Sequence, residues 1–361
     1  MAQTKTRHKE YSLFLALPAL LVLLLFRDAE HLVVITLINA LALSAIVYSA
    51  FSVVRHADVL AHRLGEPYGS LVLTLSVVVL EVSLISALMA AGDAGPTLMR
   101  DTLHSVIMIV MSGLIGISLL LGGRKFATQY FNLGSAKQYL TAIIPLSITV
   151  LVLPAAISDE GVFTFGQKII VSFISAAMYV VFLIIQTRTH QSLFVYEHED
   201  EDPIDHHGKP SAHGNAWHTG WLLAHLIFVV ALTKLNASPL DHLLSSINAP
   251  TQMTGFLVAL LVLSPEGLGA IKAVLHNQLQ RAINLALGSV LATISLTVPT
   301  VTLIALLTGK NLIFGLSTPG IVVLLCALLL SQSSFSTGKT NALNGAAHLA
   351  LFAAYLIVLM L

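Results

Sequence analysis

Leu71-Val-Leu-Thr-Leu-Ser-Val-Val-Val-Leu-Glu81-Val-Ser-Leu-Ile-Ser-Ala-Leu-Met-Ala-Ala91 places one carboxylate near the middle of an apolar run. A second stretch, Thr254-Gly-Phe-Leu-Val-Ala-Leu-Leu-Val-Leu-Ser-Pro-Glu266-Gly-Leu-Gly-Ala-Ile-Lys-Ala-Val-Leu275, repeats the arrangement. About 20 apolar residues cross a bilayer as a helix. A carboxylate inside such a span is costly and marks a functional site by default.

The rest of the chain has the same character. It is 56% hydrophobic and 10% charged over 361 residues, with mean hydropathy +0.86. Soluble domains carry roughly 25% charged residues, so a soluble fold would lack the polar surface to cover its core. Formal net charge is zero, and no nucleic-acid partner is expected. The single cysteine, Cys326, excludes an intrachain disulfide. Lys5, Arg7 and Lys9 precede an apolar run that lacks a small-residue cleavage site, so it reads as a first membrane helix rather than a leader.

Eleven spans follow: 12–26, 31–54, 67–91, 102–121, 138–157, 166–186, 218–236, 252–275, 283–308, 318–335 and 342–360. The fold class is all-α integral membrane protein, because a helix satisfies its own backbone in lipid. No alternating ten-residue segments suggest a β-barrel. With the N-terminus in the cytoplasm, 13 of the 18 Lys and Arg fall on the cytoplasmic side, which sets the C-terminus outside. A bacterial inner (plasma) membrane location is expected.

A polar stretch, Tyr196-Glu-His-Glu-Asp-Glu-Asp-Pro203 and Asp205-His-His-Gly-Lys-Pro210, interrupts the spans. It divides the chain into a leading segment (1–30), a five-helix set (31–186), a cytoplasmic loop (187–217) and a second five-helix set (218–361). The two sets enter the membrane with opposite topology, the layout of inverted-repeat carriers. Glu81 and Glu266 lie on the second span of each set. Ser105 follows Glu81 by 24 residues, and Ser289 follows Glu266 by 23. No Lys or Arg lies at comparable depth, so each glutamate is protonated or holds a cation.

Several strings resemble calcium/cation–proton exchangers. Gly65-Glu66-Pro67-Tyr68-Gly69 with Glu81 is similar to the first repeat of that superfamily, and Glu266 with Leu285-Ala-Leu-Gly288-Ser289 to the second. Phe51-Ser-Val-Val-Arg-His-Ala-Asp-Val-Leu-Ala-His-Arg63, Gly122-Gly-Arg-Lys-Phe-Ala-Thr-Gln-Tyr130 and Leu343-Asn-Gly-Ala-Ala-His-Leu-Ala-Leu351 extend the likeness to bacterial sodium/calcium–proton antiporters over essentially the whole chain. The resemblance implies a carrier that exports Ca²⁺ or Na⁺, and K⁺ as a further cargo, against protons. It implies a glutamate from each repeat at a central site, and no cofactor. One departure stands out. The superfamily's Gly-Asn before each glutamate is Val77-Val78 and Val262-Leu263 here, so side-chain amide ligands are missing.

Ca²⁺ takes six to eight oxygens. Ser83, Ser264, Ser105 and Ser289 are candidate ligands beside Glu81 and Glu266. Pro265 has no N–H, so it frees the Leu261 carbonyl, and a helix break there would offer that oxygen to the ion. Gly267 and Gly269 would admit a close neighbour. Glu66 reads as an entry gate or a helix cap, and His104 as part of a proton path. His198, His206, His207 and His213 with the loop acids are candidates for a regulatory metal site, or for a solvated polar loop. His225 and His348 read as packing residues. The alternative function is a passive cation channel. Duplicated halves favour a carrier, and an intramembrane enzyme lacks a paired Asp, a Ser/His dyad or a His-Glu-x-x-His run.

Overall fold

The computed structural model describes residues 12–26, 31–64, 68–91, 95–194 and 213–361. Glu66, His198, His206 and His207 lie outside the described residues.

Eleven helices run in chain order among the described residues: α1 (Leu13–Phe26), α2 (Leu32–Leu64), α3 (Tyr68–Ala91), α4 (Leu98–Phe126), α5 (Leu133–Ile157), α6 (Phe165–Thr189), α7 (Asn215–Ser246), α8 (Gln252–Leu275), α9 (Leu279–Thr308), α10 (Thr318–Ser334) and α11 (Ala342–Leu359). Each expected span falls on one of them. Eight are long and apolar enough to cross a membrane, and the apolar portions of α1, α3 and α10 are shorter. Large apolar side chains face outward along many helices, including Phe14, Phe173, Leu307 and Ile357. In water such a surface would drive aggregation. In hydrocarbon it is simply solvated.

The helices fall into two compact units. The first holds residues 1–94 and 197–249, with α1, α2, α3 and α7. Its long members α2 and α7 pack along one another, with α1 and α3 against both. At 33 and 32 residues they span about 50 Å. Asn39 of α2 donates to the Pro239 carbonyl of α7 at 3.0 Å, and Asn236 of α7 donates to Asn39 Oδ1 at 3.1 Å. Interhelical amide bonds of this kind suit a pair buried away from water.

The second unit holds residues 95–196 and 250–361, with α4 to α6 and α8 to α11. Here α4 is central, packing on α8, α9, α10 and α11. Small residues set these approaches. A Cβ added at Gly255 of α8 would meet the Asp101 and Thr102 backbone of α4 at 2.8 Å, and one at Gly345 of α11 would collide with the Leu120 amide nitrogen of α4. α4 carries a π-helical turn at Ile109–Leu114, and others lie in α5 (Ile148–Val152) and α6 (Ile185–Thr189). Such turns rearrange the carbonyl ladder and are frequent near functional sites. Two short strands, β1 (Gln129–Tyr130) and β2 (Lys339–Thr340), pair antiparallel and tie the α4–α5 turn to the α10–α11 turn.

Candidate functional site

Glu81 belongs to the first unit. It lies in the uninterrupted α3 and is fully buried, at 0% exposure. Ser83 is half-buried two residues on.

Glu266 belongs to the second unit, on α8. Its Oε2 is buried and accepts no hydrogen bond. Ser289 of α9 lies beside it, and the Ser289 hydroxyl is likewise buried without a bond of good geometry. Two polar groups thus face one another with bonding capacity unspent. Buried polar groups are nearly always satisfied, and an exception calls for an explanation such as an ion. The π turn of α4 closes one side of this region. Leu114 is its last residue, and a Cβ at Gly267 would stand 3.7 Å from Leu114 Cδ1. At Gly269 the nearest atom would be Leu285 Cδ1 at 3.8 Å. These are ordinary contacts, so neither glycine is demanded by close packing here.

The expected break at Pro265 is absent. α8 runs from Gln252 to Leu275 as one helix with Pro265 inside it. A proline removes one hydrogen bond, but its fixed φ is itself helical. Ser264 is occupied with its own helix, donating to the Leu260 carbonyl at 2.6 Å. That back-bond to the preceding turn is what a serine in an apolar helix commonly makes.

Ser105 and His104 keep different company from Ser289. Ser105 Oγ donates to the Asp101 carbonyl at 2.7 Å and meets Tyr355 Oη of α11 at 2.8 Å. Both residues line a polar pocket with Arg100, Asp101, Gln252, Ser317 and Tyr355, and Glu266 is not part of its lining. Arg100 pairs with Asp101 at 2.8 Å and donates to the Gly315 carbonyl. His104 packs edge-on against the Tyr355 ring, and its buried Nε2 has no hydrogen-bond partner. His213 stacks on Trp217 at a ring separation of 4.0 Å. No group of three His, Cys, Asp or Glu suited to a metal occurs among the described residues.

His348 does more than fill space. It is fully buried, with Nδ1 2.6 Å from the Met111 carbonyl and Nε2 3.0 Å from Ser334 Oγ. The carbonyl makes Nδ1 the donor, which leaves Nε2 to accept from the serine. Met111 lies in the π turn that ends at Leu114, so His348 pins that turn from α11. Sequence spacing could not reveal this, since 237 residues separate the partners.

The description "Sodium/calcium exchanger protein" matches the chain over residues 34–188 and 217–361. The chain is 67% identical over 357 residues to the "Sodium-potassium/proton antiporter ChaA" of Escherichia coli (strain K12), covering 98% of this chain and 97% of that protein. It is 22% identical over 291 residues to the "Ca(2+)/H(+) antiporter ChaA" of Bacillus subtilis (strain 168), covering 77% and 78%. Among solved structures, native YfkE superposes with TM-score 0.74 at 18% identity, over 97% of this chain and 99% of that one. The H⁺/Ca²⁺ exchanger CAX gives TM-score 0.69 at 14% identity, covering 96% and 86%.

Proposed function

This chain belongs to the sodium/calcium exchanger family, and from that premise we propose which ions it exchanges and which side chains bind them. It is a multi-pass membrane cation–proton antiporter rather than a passive channel. Two inverted repeats of five helices fit this fold.

Glu81 and Glu266 each alternate between a proton and a cation. The observation that carries this reading is the Glu266 carboxyl, with Oε2 buried beside the Ser289 hydroxyl and neither making a bond of good geometry. A cation arriving there meets two oxygens whose bonding capacity is not spent on a well-formed hydrogen bond. Protonation of the same carboxylate releases it. Alternating access then converts a proton gradient into a cation gradient. Ser289, beside Glu266, is the hydroxyl ligand best placed for this, whereas Ser264 turns back to the Leu260 carbonyl and Ser105 lies in the pocket with Tyr355.

The relative at 67% identity is named for sodium and potassium, and the one at 22% for calcium. The ligand inventory points the same way. Val77-Val78 and Val262-Leu263 remove amide oxygens that would help fill the six to eight positions Ca²⁺ requires. Na⁺ and K⁺ are therefore the principal cargoes and Ca²⁺ a weaker one. The 13 of 18 Lys and Arg on one side support an N-terminus in the cytoplasm, and a bacterial inner membrane is the location that suits the family.

The test is proton flux in everted vesicles energised to an acid interior. Na⁺, K⁺ and Ca²⁺ are added separately while a pH-sensitive dye is followed. Cation-evoked alkalinisation in the parent, lost in Glu81→Gln and Glu266→Gln at the cation concentrations that saturate the parent, supports the reading. A response that survives both substitutions refutes the site.

A further inference from the structure

Three histidines meet inside the first unit, away from either glutamate in sequence. His56 of α2 and His218 and His225 of α7 are each 0% exposed. His56 Nδ1 and His218 Nδ1 lie 2.9 Å apart. The His225 ring stacks on His56 at 6.0 Å and 18°. Its Nε2 lies 3.2 Å from Ser12 Oγ, which in turn accepts from Ser52 Oγ at 3.0 Å. The three rings therefore bridge the two longest helices among the described residues, with α1 against both.

The 2.9 Å contact has a definite proton count. Two imidazole nitrogens at that distance hold one hydrogen between them. The neutral pair satisfies this, and so does a pair carrying one extra proton, because the new hydrogen sits on an outer Nε2. A second extra proton makes both facing nitrogens donors and places like charges in contact. That state exists only if the rings, and hence α2 and α7, move apart. Among the described residues, other ionisable groups on the surrounding elements are few. Arg55 and Asp58 flank His56 on α2, Arg63 lies further along, and His213 precedes the cluster on α7. Arg63 holds Asn215 Oδ1 and the His213 carbonyl. At the far end of α7 are Lys234, Asp241 and His242; among the described side chains α3 contributes Glu81, and α1 none.

We propose that His56, His218 and His225 form a buried proton-binding site in the α2–α7 seam, and that its occupancy controls how those helices pack and so the rate of exchange. The regulatory half rests on the antiport reading. A carrier that brings protons inward gains from such a brake, because acid on the side of α7's first turn drives the facing imidazoles apart and slows further uptake.

Both tryptophans of the chain report on this site. Trp217 lies 5.4 Å from the His56 ring and 4.9 Å from His218, and Trp221 lies 5.8 Å from His225. Imidazolium quenches indole emission, and histidine changes charge between roughly pH 5 and 8. The experiment titrates tryptophan emission of purified protein from about pH 8 to about pH 5 in a His213→Gln background, which removes the other ring stacked on Trp217. We expect emission to fall with acid, and the fall to be lost in added His56→Gln and His218→Gln variants that elute as the parent does. In everted vesicles, the same variants should retain parental flux at alkaline bath pH and lose part of the inhibition seen at acid bath pH. A titration that survives both substitutions, or none in the folded parent, overturns the site. A lost titration with an unchanged acid limb of flux overturns the brake. Absent flux in the parent at alkaline pH would instead count against antiport, and leave the emission result standing on its own.

Discussion

Replacing Glu266 by Gln removes one negative charge while leaving the side chain's shape. The Ser289 hydroxyl beside it makes no bond of good geometry, so the new amide N–H₂ has an acceptor at hand. A net hydrogen bond contributes about 0.5–1.5 kcal/mol, so the fold should shift by no more than about 1 kcal/mol in either direction. The transport cost is far larger. A unit cation 4 Å from a unit anion gains about 4 kcal/mol at an effective dielectric of about 20. With tenfold in affinity for every ~1.4 kcal/mol, that is about a thousandfold for Na⁺ or K⁺. A divalent ion loses twice the energy, so Ca²⁺ should fall by the square of that factor. The assay is the cation concentration for half-maximal dye response in everted vesicles, measured for all three ions. Undetectable Ca²⁺ response with a residual Na⁺ response only at very high concentration is the expected pattern. Half-maximal concentrations within about tenfold of the parent for every ion would mean that less than ~1.4 kcal/mol is involved, and the carboxylate does not meet the cargo.

His348→Leu should leave the Met111 carbonyl and the Ser334 hydroxyl buried without bonds, at about 1–3 kcal/mol each. Thermal unfolding in detergent should drop clearly, and His348→Gln should drop less; equal behaviour of the two would show that the bonds do not hold the π turn. Gly345→Ala should force α4 and α11 apart, because the added Cβ collides with the Leu120 amide nitrogen, and cost about 1–3 kcal/mol or more. Gly267→Ala meets only Leu114 at 3.7 Å, so stability should hold or rise by up to about 1 kcal/mol; a fall would reveal a tighter neighbour than this structure contains. Asn39→Leu should strand Asn236 and the Pro239 carbonyl and destabilise the α2–α7 pair by about 1–3 kcal/mol. Adding Asn236→Leu should recover part of that loss, and strict additivity in a double-mutant cycle would argue against the coupling.

Some of this was legible before any coordinates. Each of the eleven expected spans corresponds to a helix, and the residue bounds differ mainly where helices run on past the apolar core. Thus α2 continues to Leu64 and α7 begins at Asn215. The apolar run ends where charges begin, but the backbone hydrogen-bond ladder does not stop there. The expected break at Pro265 failed for a related reason, since one missing hydrogen bond inside a packed helix is not enough to end it. Ser105 and Ser289 have matching spacing from their glutamates yet different partners. One bonds Tyr355 and the other lies beside Glu266. Spacing along a chain says nothing about which foreign helix faces a given hydroxyl.

The sequence by itself determined the solvent this protein lives in, the helical spans of its described residues and the two carboxylates that do not belong in hydrocarbon. Those follow from hydrophobic run length and from the cost of burying charge, which are local properties. Only the tertiary structure decided that Glu266 Oε2 and the Ser289 hydroxyl lie together without a bond of good geometry, that His348 pins a π turn, and that His56 meets His218. A histidine 162 residues from its partner carries no local mark of the pairing. Whether a polar side chain in a membrane helix is spent on its own backbone, on another helix or on nothing depends on how helices rotate against one another. That rotation is set by packing of many small and large side chains at once.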